Sequence, residues 1–347
     1  MADYLPLFSK DVYENPIPPR FQWNHNGGYC GETSFIASGL YYGQYLSQYD
    51  VRSIASDGKK QNEKGADGVY GDQLLLGVND TYSAQQLRLA YDEWPRKDLK
   101  DTKAFMQWIK EHALNGHPVI IGVFNNFRLL GEESSLPGDS QYDHIVPVLG
   151  YGTTSPAQYD DNDIIVFSDN GLYTPGNSIP FYHQFRMQPD NAVVPAYPFL
   201  GDRKDANKAD GNVYSVLDLA TADSTHHRNF AIAITGVADT DNVTLPVRIT
   251  TDINYEIPAI GHDSNTRPET MNLGLTVSVS GLQANIAYNL YEYDHESKVP
   301  AAKFNTQAAN AKKKHHINIT EGDSFTFTFP ITSDQKVFFR AVPASAD

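Results

Sequence analysis

The hydrophobic pattern of this 347-residue chain changes near residue 238. Before that point, apolar residues recur at helical spacing in some stretches and form continuous runs in others. After it, no stretch has helical spacing, and short segments with strand character alternate with turns rich in Gly, Asp and Ser. We therefore predict an α+β domain over 1–238, followed by an all-β sandwich over 239–347.

Six segments of the second part have the composition of strands. SFTFTF alternates strictly, which places its three Phe side chains on one face of a half-buried antiparallel strand. The six candidates are TLPVRIT (244–250), LTVSVSG (275–281), IAYNLYEY (286–293), HHINIT (315–320), SFTFTF (324–329) and KVFFRAV (336–342).

The first part mixes helices with buried strands. Apolar residues at three- and four-residue steps predict a helix from Cys30 to about Tyr49, in which Gly39 and Gly43 would let another element approach closely. A second helix is predicted over 102–115, ended by a Gly and a Pro, and residues 50–70 are predicted to form a polar surface loop. Continuous β-branched runs predict three strands, VIIGVF (119–124), HIVPVLGY (144–151) and DIIVFS (163–168).

Composition excludes several classes of function. The formal net charge is −15, from 42 acidic and 27 basic residues, so the chain repels phosphate backbones and we predict no nucleic-acid partner. No apolar run is long enough for a membrane span. One cysteine cannot form an intramolecular disulfide or a multi-thiolate metal site, and we predict no metal and no cofactor. The oligomeric state and the compartment stay open; an extracellular location is favoured if a leader has been removed.

The segment QWNHNGGYCGETSF (22–35) carries the strongest functional signal. It predicts an Asn/Gly-rich turn that delivers Cys30 to the first residue of a helix. The unpaired N–H groups and the dipole of a helix N-terminus stabilise a thiolate, so a cysteine at this place is suited to act as a nucleophile. Glycines beside it leave backbone N–H groups available for a developing oxyanion.

A thiolate nucleophile needs a base, and the base needs a group that orients it. His144 is the best placed histidine, because it opens a predicted buried strand directly after a polar stretch. Asp169 follows the next predicted strand and would orient the imidazole, with Asn170 as the alternative; an Asp holds an imidazolium more strongly, whereas either residue fixes the tautomer.

This order of Cys, His opening a strand, and Asp or Asn ending the next strand resembles the papain-like cysteine peptidase superfamily. The pattern is closest to the peptidases that remove double-glycine leaders from bacteriocins, which use a similar Gly-x-Cys-Gly turn and an orienting Asp. The resemblance covers about residues 15–185. It implies an oxyanion donor six residues before the nucleophile, where this chain has Asn24, while Gln22 lies eight residues before it. Chemistry favours Gln22 as the donor and spacing favours Asn24.

These observations predict a thiol hydrolase that cleaves peptide or amide bonds of a peptide or protein through a Cys30 acyl-enzyme, with no cofactor. Transpeptidation or amide ligation on the same scaffold is one alternative. A catalytically silent binding protein that uses the β-sandwich is another.

Two further sequence features bear on metal binding. The acidic segment 202–210 weakly resembles an oxygen-rich calcium loop. The adjacent histidines at 226–227 and 315–316 point to opposite faces of a strand, which disfavours a shared metal.

Overall fold

A computed structural model of the chain describes residues 12–14, 17–18, 20–23, 28–57, 73–95, 102–125, 144–153, 155–160, 163–168, 170, 182–186, 214–215, 229–253, 256 and 269–346. The architecture is α+β, with antiparallel strands predominating over helices, which confirms the predicted combination of helices and strands. The chain divides into two compact units. The first unit comprises Met1–Pro16 and Asp92–Thr235, and the second comprises Ile17–Tyr91 and Gly236–Asp347.

Helix α4 of the first unit spans Thr102–Leu114, close to the predicted bounds of 102–115. Phe105, Ile109 and Ala113 lie on its buried face, whereas Trp108 is half-buried. The helix ends before Gly116, whose φ of +76° is a left-handed conformation that glycine adopts without steric cost.

One antiparallel sheet forms the bulk of this unit. The three predicted strands are confirmed as β4 (Val119–Asn125), β5 (His144–Gly152) and β6 (Ile164–Ser168). Strands that the sequence analysis did not predict complete it, namely β1 (Val12–Glu14), β3 (Leu89–Glu93), β7 (Tyr182–Arg186), β8 (Tyr214–Ser215) and β9 (Ala231–Val237). Within the described residues the order is β3-β9-β4-β5-β6-β7, with β1 on β5 and β8 on β4.

Strand β5 is central to this sheet. Its first half pairs with β4, where His144 lies opposite Val123, and its second half pairs with β6. All nine residues of β5 are buried, which explains why its sequence is a continuous apolar run and does not alternate. A buried, doubly paired strand gives His144 a fixed backbone position.

Helix α1 of the second unit spans Cys30–Tyr41, so the predicted end near Tyr49 was wrong. The chain turns at Gly43, which has a φ of +73°, and a Cβ atom there would lie 2.8 Å from the Cβ of Val247. Gly39 likewise faces the Gln44 side chain at 3.0 Å, so both glycines permit the close approach that was predicted.

The chain then forms the two-residue strand β2 (Gln44–Tyr45) and the helix α2 (Gln48–Ala55). The Oγ of Ser47 accepts the Asp50 N–H at 3.0 Å and so caps α2. The predicted loop over 50–70 is therefore wrong for its first residues, which are helical, and its remainder from 58 onward lies outside the described residues. A further short helix, α3 (Asp80–Gln86), was not predicted.

All six strands predicted after residue 238 are confirmed. They are β10 (Val247–Thr251), β11 (Asn272–Ser280), β12 (Ala287–Tyr293), β13 (Lys313–Asn318), β14 (Ser324–Thr332) and β15 (Val337–Pro343). In the part of the chain that the structure describes, they form a sheet β10-β11-β14 and a sheet β13-β12-β15-β2. The rings of Phe327 and Phe329 on β14 meet Phe339 on β15 at centroid distances of 5.9 and 5.4 Å, so aromatic side chains pack between the two sheets.

The second unit does not coincide with the predicted range 239–347, because it also contains Ile17–Tyr91. Strand β2 explains part of this grouping. Gln44 pairs with Phe338 and Tyr45 with Val337, so the segment that follows α1 extends the sheet formed by the C-terminal strands. The predicted boundary at 238 lies close to Gly236, where the chain enters the second unit for the second time.

Candidate functional site

Cys30 is the first residue of α1, as predicted. Gly28, two residues earlier, has a φ of +86°, so the turn requires a glycine at that position. The first helical hydrogen bond runs from Thr33 N to Tyr29 O at 2.9 Å, which leaves the N–H groups of the first turn without intrahelical acceptors. Cys30 therefore lies where a glycine turn leads into a helix, as the sequence predicted.

Exposure distinguishes Cys30 from the rest of its helix. Cys30 is partly exposed, whereas every residue of α1 from Gly31 to Tyr41 is buried. Free cysteines are among the most buried residues in proteins, and Cys30 departs from that tendency. Helix α1 is buried on all sides after its first residue. Its two serines are satisfied within the helix: the hydroxyls of Ser34 and Ser38 donate to the carbonyls of Cys30 and Ser34 at 2.8 and 3.0 Å.

Gln22 lies against the turn that precedes Cys30. Its Oε1 accepts the Tyr29 N–H at 3.1 Å and lies 3.4 Å from the position that a Cβ on Gly28 would occupy. Oε1 is the acceptor end of this amide, and Nε2 is its donor end. Of the two predicted oxyanion donors, Gln22 lies beside the turn that precedes Cys30, and Asn24 lies outside the described residues.

The segment that carries Gln22 is fixed by a buried glutamine on α2. Gln48 Oε1 accepts the Trp23 N–H at 3.0 Å, and Gln48 Nε2 donates to the Phe21 carbonyl at 2.8 Å. One amide thus holds the backbone on both sides of Gln22.

His144 is the first residue of β5 and is 7% exposed. Asn170 follows β6, is buried, and donates from Nδ2 to the Ile145 carbonyl at 3.2 Å. The end of β6 is therefore tied to the residue after His144, as the order of the predicted strands requires. Asp169 lies outside the described residues, and Asn170 is the one of the two orienting candidates whose contact with this strand is seen.

The predicted residues belong to different units. Gln22 and Cys30 are in the second unit, and His144 and Asn170 are in the first. The two pairs are each assembled locally, one around the start of α1 and one around the start of β5.

Sequence analysis missed the charged group behind the Cys30 turn. Arg52 on α2 donates from Nε to Glu32 Oε1 at 2.7 Å and from Nη2 to the Gly28 carbonyl. Its guanidinium carbon lies 3.4 Å from the centroid of the Tyr29 ring. Glu32, two residues after the cysteine, was visible in the sequence, but its partner was assigned to a surface loop.

Charges of opposite sign hold this arginine in its ionised form. Burial by itself would lower the pKa of the Arg52 guanidinium, but the neighbouring charges of Glu32, Tyr29 and Cys30 raise the pKa above its ordinary value. The cation is therefore present at every pH at which the protein is folded.

The described residues give no support for a metal centre. They contain no group of three or more His, Cys, Asp or Glu side chains arranged to hold an ion. The acidic segment 202–210 and the histidines at 226–227 lie outside the described residues. On β13, His315 is half-buried and its Nε2 lies 3.1 Å from Glu292 Oε2, whereas His316 is exposed.

Among the described residues, no helix combines the length and the apolar composition that a membrane span requires.

Comparisons of the chain with protein families, curated proteins and solved structures find no match.

Proposed function

We propose that this protein is a papain-like thiol hydrolase that cleaves peptide or amide bonds with Cys30 as the nucleophile. One observation carries the proposal. Cys30 is the partly exposed first residue of an otherwise buried helix, and an immobilised glutamine amide lies against the turn before it. The resemblance of the Cys, His and Asp/Asn order to papain-like enzymes supplies the remaining roles.

In the proposed reaction, the Cys30 sulfur attacks the carbonyl carbon of the scissile bond while His144 accepts the thiol proton. Negative charge develops on the carbonyl oxygen, and Gln22 Nε2 and the Cys30 backbone N–H donate to it. His144 then returns the proton to the departing amine as the C–N bond breaks. A thioester to Cys30 remains.

Hydrolysis of the thioester completes the cycle. A water molecule loses a proton to His144 and attacks the thioester carbonyl, and the carboxylic acid product leaves as the sulfur regains its proton. Asn170 or Asp169 orients the imidazole in both halves of the reaction. If an amine attacks in place of water, the same intermediate gives transpeptidation or ligation.

Alkylation kinetics provide the first test, because the chain has a single cysteine and every labelling event reports on Cys30. We expect iodoacetamide and an epoxide inhibitor of the E-64 type to label the native protein rapidly near neutral pH. Labelling that requires denaturant would contradict the proposal and favour a silent binding protein.

Turnover of a peptide library provides the second test. We expect Cys30→Ala to abolish cleavage and His144→Ala to lower it by about 10³-fold or more, since both groups act in one unit. Asn170→Ala should have a smaller effect if Asp169 is the orienting residue. Product analysis with added amines separates hydrolysis from ligation. A Cys30→Ala variant that retained full turnover would exclude this site.

A further inference from the structure

Three residues that bracket Cys30 in the sequence share one buried cation. Arg52, whose side chain is 1% exposed, contacts the Gly28 carbonyl, the face of the Tyr29 ring and the Glu32 carboxylate. These are the residues two before, one before and two after the cysteine. A single planar group thus joins the turn that delivers the sulfur to the first turn of the helix that follows it.

The carboxylate of this pair is also held from a second direction. Glu32 Oε1 accepts the Leu74 N–H at 3.0 Å in addition to the Arg52 Nε–H. Glu32 therefore retains the Leu74 N–H as a donor when Arg52 is replaced. The Leu74 N–H holds the carboxylate to which the guanidinium binds. The arrangement is suited to fix both the position and the orientation of Arg52.

From this geometry we infer that Arg52 is a positioning residue for the Cys30 nucleophile: it holds the Gly28-Tyr29-Cys30 turn in its reactive conformation and places a buried positive charge where it favours the thiolate. The inference rests on the proposed function. Arg52 does not touch the substrate in this role and acts through Cys30.

Neutralising the two opposite charges one at a time distinguishes this role from a purely structural one. Arg52 and Glu32 have opposite charges, so removing them one at a time should move the ionisation of Cys30 in opposite directions. Arg52→Met should shift the midpoint of the alkylation rate against pH upward by at least about 0.5 pH unit, which is about a threefold loss of thiolate on the acid side of the midpoint. Glu32→Gln, which keeps an acceptor for Leu74 N, should shift the midpoint downward.

Two further variants keep the test informative. Arg52→Lys retains the charge but cannot contact Glu32 and the Gly28 carbonyl in the same planar geometry, so we expect a midpoint close to the wild-type value with a reduced limiting rate. Lys110→Met breaks an equally buried ion pair in the first unit and should leave the midpoint unchanged. If Arg52→Met does not fold, the Glu32→Gln and Arg52→Lys profiles still decide the question.

The results that would overturn the inference are specific. Unchanged midpoints in both Arg52→Met and Glu32→Gln would exclude the electrostatic role. Faster alkylation at all pH values in both variants would show that the pair merely keeps the region closed. Neither result depends on turnover. A wild-type protein whose Cys30 is inert in the native state would instead refute the proposed function, so the two failures are distinguishable.

Discussion

Two buried ion pairs, one in each unit, illustrate how identical chemistry serves different ends. Glu32 and Arg52 in the second unit lie 2.7 Å apart, and Lys110 and Asp163 in the first lie 2.8 Å apart, with every side chain at most 1% exposed. Both pairs join a helix to another segment of the chain. They differ in the groups that complete the coordination of the cation.

The Lys110 ammonium is surrounded by backbone. It donates to the carbonyls of Ser155 and Gln158 at 2.5 Å each, both in the segment between β5 and β6. Asp163 in turn accepts from the Tyr151 hydroxyl at 2.7 Å and from Asp160 N at 3.0 Å. The two carbonyls and the Asp160 N–H lie between β5 and β6, and Tyr151 lies in β5, so the pair holds these segments against α4. None of these groups belongs to a residue with a proposed catalytic role.

Arg52 is surrounded by the residues that bracket Cys30. Burial of an ion pair does not by itself identify a functional site, because breaking either of these pairs should destabilise the fold. The neighbours of the pair carry the functional information. The following predictions test that distinction, beginning with the effect that the two pairs should share.

The largest effect is expected from removing one cation. Arg52→Met and Lys110→Met should each lower the free energy of unfolding by about 3–5 kcal/mol, because each leaves a buried carboxylate without its counter-ion. Urea unfolding measures both. A loss below about 1 kcal/mol for one variant and a full loss for the other would show that the two pairs are not equivalent in burial.

A third buried carboxylate should give a pH-dependent effect. Burial raises the pKa of Glu256 to about 7, in spite of the opposing influence of Arg20 at 3.4 Å and the Gln48 N–H. Because the folded-state pKa lies above the ordinary value of 4.5, the folded state holds the proton more tightly than the unfolded state between those values.

The stability that Glu256 contributes is therefore fully present below about pH 4.5 and is lost as the pH rises through about 7. Relative to Glu256→Gln, the wild type should lose about 3 kcal/mol of unfolding free energy over this range. Urea titrations of both proteins at half-unit pH steps would measure it. A difference that does not change between pH 4.5 and 7.5 would contradict the assignment.

The Tyr151 hydroxyl donates to the Asp163 carboxylate of the Lys110 pair and allows a smaller effect to be tested. Burial, and then the charge of Asp163, raise the pKa of Tyr151, so its O–H remains a donor to the carboxylate. Tyr151→Phe should cost about 2 kcal/mol, the usual value for a hydrogen bond to a buried charge. Tyr82→Phe is the matched control, since its O–H donates to Asp57 over the same 2.7 Å in an exposed position and should matter little.

The smallest effect is expected at an exposed ion pair. Lys298 Nζ lies 2.8 Å from Asp294 Oδ1 on the surface of the second unit. The hydrogen bond from Lys298 lowers the pKa of Asp294, so the contribution is present above the ordinary Asp pKa and is lost as the pH falls. Asp294→Asn should cost at most about 0.5 kcal/mol, and added salt should remove the difference.

Much of the fold was predictable because strand and helix periodicities are local. The six strands after residue 238, the three buried strands β4, β5 and β6, and helix α4 all show apolar runs or regular spacing in the sequence. The turn before Cys30 was predictable for a related reason. Gly28 adopts a conformation that favours glycine, and a helix follows directly.

The segment after α1 was mispredicted because its buried residues are polar. Gln44, Gln48, Asp50 and Arg52 are all buried. The first two were predicted to lie in a continuing helix and the last two in a polar surface loop. A distant group can satisfy such a residue, as the Arg340 guanidinium does when it donates to Gln44 Oε1 at 3.0 Å. Hydrophobic periodicity carries no information about such residues.

The sequence by itself determined the local elements and the candidate nucleophile, because glycine conformations, helix starts and strand periodicities depend on neighbouring residues. The tertiary structure was needed to show that residues 17–91 group with the C-terminal strands. It was also needed to show that Gln22 lies against the turn before Cys30 and that Arg52 contacts residues on both sides of Cys30. Those facts depend on which distant groups compensate a buried polar atom. That choice is made by packing, and no local pattern encodes it.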